Sequence, residues 1–387
     1  METNNNQFLI DLDENRRTIR DTIREFAVNV IKPVVMEYDE SQKFPIDIMH
    51  QLGDLGFLGI LVPEEYGGAG LGYVEYSIVV EELARIDPSI SLSVAAHNGL
   101  CTNHILMHAN EEQKKKYLPD LASGKVIGAW GLTEPSSGSD AAAMQTTAVL
   151  DGDNYILNGT KNFITHGESG KTAVVMAITD KSKGKKGISA FIVEKGYHGF
   201  SAGKKENKLG MRASETTQLL FENCVVPKEN LIGIEGEGFI QAMKILEGGR
   251  ISIAALSVGL AQGCLDASIA YSKERKQFNK PISEFQGIQF KLSDMAIDIE
   301  AARLMTYKAA ILKDSGKSVF SAATKAKLFA SEIATKAANE AVQIFGGYGF
   351  VKDYPVEKFY RDVKLLTIGE GTSEIQRIVL ARDLLQD

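Results

Sequence analysis

The chain of 387 residues has the composition of an ordinary folded protein, with 44% hydrophobic and 24% charged residues. Its formal net charge of -7 provides no basic surplus, which argues against nucleic acid or an anionic membrane as a partner. The polar start METNNNQF lacks the apolar core of a signal peptide, and no run of 18 apolar residues occurs, so we expect a soluble cytoplasmic protein.

The first part of the chain, residues 1–125, predicts a domain of α-helices. Apolar residues recur at helical spacing in residues 19–30, and Pro45 opens a further helix. Residues 73–84 and 90–107 are dense in apolar and small side chains, which is typical of buried helices.

Potential metal ligands in this sequence are scattered. No carboxylate accompanies the histidines of the N-terminal part, so we favour core or interface positions over a metal site for His97, His104 and His108. The three cysteines are isolated, which predicts reduced packing residues at Cys101, Cys224 and Cys264.

Residues 126–235 predict an antiparallel β-barrel. Short β-branched runs alternate with turn dipeptides, and Asn158-Gly159 is typical of a hairpin turn that needs positive φ. The predicted strands are residues 155–157, 160–165, 173–178, 188–193, 216–221 and 225–227.

Residues 236–387 predict an antiparallel four-helix bundle. Apolar residues step by three or four through residues 288–305, and a second long helix at 320–345 is stopped by Gly346-Gly347. Pro355 starts a short helix, and a last helix follows Gly371. The predicted fold is therefore mainly α, with a central β domain between two helical domains.

One stretch near the C-terminus combines features of an active site. Glu370 stands between two glycines after an apolar approach, and dry surroundings raise the pKa of a carboxyl towards that of a general base. Ser373 and Gln376 predict a capped helix start, whose free N–H groups suit a phosphate. The structural alternative is an acidic first turn stabilised by the helix dipole.

Three other site patterns fail. The run GESGKT at residues 167–172 has Thr165 where a phosphate loop requires its first glycine. Gly347-Tyr348-Gly349 lacks the third glycine of a dinucleotide fingerprint, and no serine, histidine and aspartate stand in an order that predicts a hydrolase triad.

Three motifs together resemble those of the acyl-CoA dehydrogenase family. They are GLTEPSSGSD at residues 131–140, QIFGGYGFVKDYPVEKFYRD at 343–362 and IGEGTSEIQR at 368–377. The resemblance covers essentially the whole chain. It implies an FAD enzyme that converts an acyl-CoA to the trans-2-enoyl-CoA and passes electrons to an electron-transfer flavoprotein. It also implies a homotetramer built from the C-terminal bundles.

The resemblance assigns Glu370 as the catalytic base. Glu370 would remove the α proton while hydride leaves the next carbon for flavin N5. Some relatives place the base on an earlier helix, where the matching position here is Gly249; Glu247 is the alternative base if the match is shifted by two residues. Arg361 and Asp362 are expected to be structural and to tie a short helix to the bundle.

The resemblance also implies three sets of ligand contacts. FAD would lie between the β domain and the bundle, against Trp130, Leu132, Thr133, Gly138, Ser139, Phe163, Ile164 and Thr165. A neighbouring subunit would contribute Arg275, Phe278, Gln286, Gln343, Gly346 and Gly347, and the adenosine and pyrophosphate part would meet Thr372 and Glu374. The acyl-CoA would contact Ser139, Glu247, Arg250 and Gly371. Without the resemblance, residues 135–140 would be an ordinary turn and residues 163–165 an ordinary strand.

The acyl group and the electron acceptor stay open at this point. The motifs look most like the short-chain, butyryl-CoA type, and short branched acyl groups are the alternative. An oxidase, a flavin monooxygenase or a non-catalytic flavoprotein could share the same fold.

Overall fold

The structure, a computed structural model, describes residues 13–385, in which helices, strands and helices follow in the predicted order. The N-terminal α-helices are α1 (Glu14–Phe26), α2 (Val35–Ser41), α3 (Ile46–Asp54), α4 (Tyr73–Ala84), α5 (Pro88–Ala96), α6 (Asn103–His108) and α7 (Glu111–Ala122). The predicted helix at residues 90–107 is interrupted by a π-helical turn at His97–Thr102. The predicted N-terminal helical domain begins at residue 1, and its residues 1–12 lie outside the described part of the chain.

The central region is one sheet of eight strands. The strands are β1 (Gly128–Gly131), β2 (Thr147–Asp151), β3 (Asn154–Thr165), β4 (Thr172–Ile178), β5 (Ile188–Glu194), β6 (Phe200–Lys205), β7 (Thr216–Pro227) and β8 (Leu231–Ile232). Their order is β6-β7-β3-β2-β4-β5-β8, and β1 pairs in parallel with β4. The sheet is thus mixed and not purely antiparallel, because β1 enters from α7 alongside β4. Closure into a barrel stays a prediction.

The hairpin turn predicted at Asn158-Gly159 is wrong. Both residues lie within β3, and the register with β7 shifts between Leu157 and Gly159, which marks a β-bulge. The turn lies earlier, between β2 and β3, where Gly152 has a φ of 58°. A Cβ at Gly159 would lie 2.5 Å from Thr146 Oγ1, so the glycine serves close packing inside the sheet.

Three long helices dominate the C-terminal region. The helices after the sheet are α8 (Gly238–Glu274), α9 (Gln286–Asp314), α10 (Phe320–Phe345), α11 (Val356–Asp362) and α12 (Ser373–Leu384), with a small hairpin of β9 (Lys276–Gln277) and β10 (Lys280–Pro281) before α9. By length and composition α8 could cross a membrane, but 78% of its most apolar window is buried, as in the central helix of a bundle.

One hydrophobic core joins the two helical regions. Buried residues of α4, α5, α8, α9 and α10 form a single cluster, and Asp314 at the end of α9 accepts the N–H groups of Tyr73 and Val74 at the start of α4. Two smaller clusters lie in the sheet region. The cysteine prediction is confirmed, since all three thiols are buried and free.

A buried group of charges connects all three regions. Lys358 of α11 lies 2.8 Å from Asp87 and 2.5 Å from Asp362, and all three side chains are at most 1% exposed. Asp362 also accepts the backbone N–H of Met211, which follows β6. Arg361 pairs with Asp39 from α2. Arg361 and Asp362 therefore have structural contacts, as predicted, but these contacts join α11 to α2 and to the segment after β6, whereas the prediction had α11 tied to the bundle.

Candidate active site

Glu370 lies in the loop that leads into α12. Its φ of 52° is in the left-handed region, which is uncommon for a residue with a side chain. The residue as a whole is half-buried, but its Oε2 is buried and has no hydrogen-bond partner in the described part of the chain. A buried, unpaired carboxylate oxygen on an unusual backbone is typical of a functional site.

Gly249 of α8 makes room for this carboxylate. A Cβ at position 249 would overlap Glu370 Oε2 and would lie 2.8 Å from Glu370 Cδ. Glu247 stands two residues earlier, and two residues turn an α-helix by about 200°, so its side chain leaves α8 on the opposite side. The geometry at α8 therefore favours Glu370 over Glu247.

Two buried cations approach Glu370. Burial raises the pKa of Glu370 to about 7, and the positive charges of Lys327 and Arg250 oppose that rise. Lys327 belongs to α10 and is 0% exposed, and Arg250 belongs to α8 and is 7% exposed. A carboxyl with a pKa near 7 can both take up and release a proton at neutral pH, as a general base must.

The sequence did not single out Lys327, but a signal existed. Lys327 stands on the buried stripe of α10 with Ala323, Ala330, Ala334 and Ala338, at helical spacing. A lone charged residue on an otherwise small and apolar face requires a partner, because burying an unpaired charge is costly. The role predicted for Gln376 in a capped helix start is wrong. Its Nε2 donates to the carbonyls of Glu370 and Gly371 at 3.2 and 3.1 Å.

The end of β1 and the end of β3 form a second part of the site. Asn162 N–H donates to Thr133 O at 2.8 Å, which brings these strand ends together. Phe163 has a φ of 57° at a bulge of β3, and its side chain is 62% exposed. We define the β1–β3 surface as Trp130, Leu132, Thr133, Phe163, Ile164 and Thr165. The exposed aromatic ring of Phe163 suits a flat ligand.

Two consecutive hydrogen bonds connect the indole ring of Trp130 to α8. Its Nε1 donates to His104 Nδ1 at 3.0 Å, and His104 Nε2 lies 3.1 Å from Gln241 Oε1 on α8. Burial lowers the pKa of His104 to about 3, so the ring stays neutral and keeps Nδ1 as an acceptor. The core position predicted for His104 is confirmed, and so is that of His97, which binds the backbone of Leu121 and Gly128.

A buried ion pair supports the loop after β1. Lys161 lies 2.7 Å from Glu134, and both side chains are almost fully buried. Lys161 Nζ also donates to Leu132 O at 3.2 Å, while Glu134 accepts the N–H groups of Gln145 and Thr146. The pair therefore fixes the backbone of the β1–β3 surface at Leu132. Gly138 and Ser139 lie beyond it and are exposed.

The two parts of the site meet through α8. Leu246, which precedes Gly249 by about one turn, packs with Trp130 against the buried cluster that contains Leu132. The predicted substrate contact Gly371 directly follows Glu370, with a φ of 97°. Thr372 caps α12 by accepting Ile375 N–H, and Glu374 is exposed.

The remaining predicted cofactor residues lie elsewhere. Arg275, Gly346 and Gly347 line a cavity of about 540 Å³, together with Tyr271, Phe345 and Tyr348. Among the described residues, its lining includes none from β1 or β3. Phe278, Gln286 and Gln343 are exposed. One chain thus presents two separate sets of the predicted contacts.

Comparisons with known proteins cover nearly the whole chain. The family models for the N-terminal, middle and C-terminal domains of acyl-CoA dehydrogenase match residues 13–125, 129–224 and 236–385. A short-chain specific acyl-CoA dehydrogenase of Clostridium acetobutylicum is 50% identical over 371 residues, which are 96% of this chain and 98% of the relative.

Solved structures show the same fold. Butyryl-CoA dehydrogenase from Megasphaera elsdenii superposes with a TM-score of 0.96 at 43% identity, over 98% of this chain and all of that chain. A chain from work on the electron transferring flavoprotein of Acidaminococcus fermentans and flavin-based electron bifurcation has a TM-score of 0.97 at 51% identity, with 98% and 100% coverage.

Proposed function

Because the chain belongs to the acyl-CoA dehydrogenase family, we propose that it oxidises a short-chain acyl-CoA to the trans-2-enoyl-CoA. The position of Glu370 carries this proposal. Its carboxylate is buried against Gly249, and burial raises its pKa to about 7. The short-chain assignment is supported by the likeness to the short-chain and butyryl-CoA enzymes. The proposed electron acceptor is an electron-transfer flavoprotein.

The side chain of Glu370 takes the proton. It removes that proton from the carbon next to the thioester carbonyl, and the proton remains on the carboxyl group. FAD, the cofactor of this family, accepts a hydride from the adjacent carbon when it is bound. The two broken C–H bonds are replaced by the C=C bond of the product. The Glu370 N–H is the proposed donor to the thioester oxygen, since that oxygen gains negative charge as the α proton leaves.

The β1–β3 surface fits the flat part of FAD. Phe163 offers an exposed ring, and the buried Asn162 Oδ1 has no partner within the described chain. The edge of a flavin ring carries an N–H group that could satisfy such an acceptor. We assign Trp130, Thr133 and Thr165 to the same surface, with Gly138, Ser139, Thr372 and Glu374 around its edges.

Homotetramer formation is proposed from the exposed face of α9. Phe290, Ile297, Leu304 and Ile311 follow one another every seven residues and are 62%, 67%, 40% and 42% exposed. Such spacing makes a nearly straight apolar stripe along one helix face, and stripes of this kind mark contacts between subunits. The separate cavity at Arg275, Gly346 and Gly347 would then serve the FAD of a neighbouring subunit.

Sedimentation tests this assembly. We expect Ile297→Lys to yield smaller particles and to lose FAD, because a cofactor held between subunits cannot stay without the neighbour. Lys308→Ala, an exposed change on the same helix, is the control. An Ile297→Lys protein that remains a tetramer with its FAD would contradict the proposed interface.

Anaerobic titration tests the activity. The purified protein should show the visible spectrum of a flavin, and butyryl-CoA should bleach it more readily than isovaleryl-CoA. Bleaching by isovaleryl-CoA alone would assign a branched-chain enzyme. A flavin spectrum that no acyl-CoA changes, or the lack of flavin after addition of FAD, would refute the proposed function.

A further inference from the structure

Lys327 and the Glu370 loop are joined directly. Lys327 Nζ donates to Gly371 O at 2.7 Å. Gln376 Nε2 donates to the same carbonyl from α12, so donors from α10 and α12 hold one peptide. The loop needs such restraint, because Glu370 and Gly371 both have positive φ, at 52° and 97°.

Lys327 also contributes charge to the site. Burial lowers the pKa of Lys327 to about 8, and the negative charge of Glu370 is the first influence that opposes this. Reciprocally, Lys327 is the first influence that opposes the raised pKa of Glu370. Attraction between opposite charges is strong where water is excluded, so each group favours the ionised form of the other.

Other groups around Glu370 are not equivalent to Lys327. Arg250 hydrogen-bonds Thr324 of α10 at 3.3 Å and has Glu247 nearby, which shares its charge. The titratable and charged groups facing this pair from the surrounding elements are Tyr73 and Tyr76 of α4, Glu247 and Arg250 of α8, Glu332 of α10 and Glu374 of α12. Lys327 is the member that both touches the loop backbone and carries a positive charge.

We propose that Lys327 is a positioning residue for the reaction, which holds the Gly371 carbonyl and keeps the Glu370 carboxylate ionised as the base. This inference rests on the proposed function. Without the ammonium, Gln376 still holds the loop, so the main loss is electrostatic. A buried carboxyl that lacks a nearby cation binds its proton more tightly. At neutral pH, less of the enzyme then carries an active base.

The variants Lys327→Met, which removes the charge, and Lys327→Arg, which keeps it, test this inference in the holoenzyme. We expect Lys327→Met to raise the apparent pKa of flavin reduction by butyryl-CoA by about one unit, which lowers the rate about tenfold below that pKa. The rate should recover at higher pH, and Lys327→Arg should keep the wild-type midpoint. A uniform loss with an unchanged midpoint would overturn the proposal, because it would show a structural role only.

An infrared titration gives a readout that does not require turnover. The protonated carboxyl band that disappears in Glu370→Gln reports on Glu370 in the substrate-free holoenzyme. We expect its midpoint near pH 7 in the wild type, consistent with the pKa given above, and about one unit higher in Lys327→Met. If Lys327→Met does not fold, Lys327→Gln retains a donor and should show the same shift. Equal titration midpoints of Glu370 in the wild type and in Lys327→Met would refute the inference, even if no acyl-CoA is oxidised. A shifted midpoint in a protein that oxidises no acyl-CoA would refute only the proposed function.

Discussion

The contact between Gly249 and Glu370 allows a quantitative test of the proposed base. In Gly249→Ala, the new Cβ would lie 2.8 Å from Glu370 Cδ and 3.3 Å from Oε1, besides overlapping Oε2. Carbon atoms in contact normally stand about 3.5–4.0 Å apart, so the carboxyl carbon must retreat by about 1 Å. A misplacement of about 1 Å at a reacting group can cost about 100-fold in rate.

We therefore expect Gly249→Ala to reduce the rate of flavin reduction by butyryl-CoA about 100-fold. The fold should survive, since alanine is favoured over glycine inside a helix by about 1 kcal/mol. Anaerobic stopped-flow absorbance measures the rate, and urea unfolding measures the stability. Gly287→Ala is the matched control, because a Cβ there meets nothing within 4 Å. A Gly249→Ala enzyme that is reduced at the wild-type rate would refute the assignment of Glu370 beside α8 as the base.

Three further substitutions test other parts of the site. Glu370→Gln should keep FAD and slow its reduction at least about 100-fold; retained reduction would move the base elsewhere. Because the pKa of Glu370 rises from 4.5 to about 7 on folding, ionisation of this carboxyl destabilises the folded protein as pH rises through this range. Glu370→Gln should therefore raise the free energy of unfolding at pH 8 by about 3 kcal/mol. His104→Phe leaves the indole N–H of the single tryptophan without its acceptor and should lower the free energy of unfolding by about 1–3 kcal/mol, measured in urea with tryptophan emission as the signal. The control is His108→Phe, because His108 Nε2 has no partner among the described residues. Equal costs in the two variants would contradict the role of His104. Lys161→Met leaves the Glu134 carboxylate buried without its counter-ion and should lower the free energy of unfolding by about 3–5 kcal/mol. Adding Glu134→Gln should restore much of this stability. A double variant as unstable as Lys161→Met would contradict this explanation.

Helices with a clear period and clear ends were predictable from the sequence. The predicted bounds 73–84 and 320–345 coincide with α4 and α10. All of α4 is buried, whereas α10 has a buried stripe and ends at a glycine, and each of these signals acts locally. The strand β6 at Phe200–Lys205 was missed. Its side chains are mostly exposed, so no apolar alternation marks it.

Errors arose where tertiary contacts override a local preference. Asn158-Gly159 has the residues of a tight turn, yet Thr146 packs so closely on Gly159 that glycine is needed within a strand. Gln376 follows Ser373 at capping-box spacing, yet its side chain reaches back to the loop of Glu370. Neither contact can be read from neighbouring residues alone.

The candidate site was predictable as residue types but not as an arrangement. The resemblance predicted Glu370 as the base and two sets of cofactor contacts. The roles of Lys327, His104 and Lys161 depend on distances between helices and strands that lie far apart in sequence. Each of these three is a polar residue in a buried position, and sequence periodicity indicates such positions without naming the partner.

The buried charges around Lys358 have a consequence for how the protein is made. Asp87 and Lys358 are separated by 271 positions, so a growing polypeptide on the ribosome exposes Asp87 long before its counter-ion is synthesised. A buried carboxylate without its partner costs about 3–5 kcal/mol, which opposes early completion of the N-terminal helices. These helices also share their core with α8, α9 and α10. We therefore expect the nascent chain to reach its native packing only after its C-terminal helices have left the ribosome. Truncated products should remain incompletely folded and exposed to proteases.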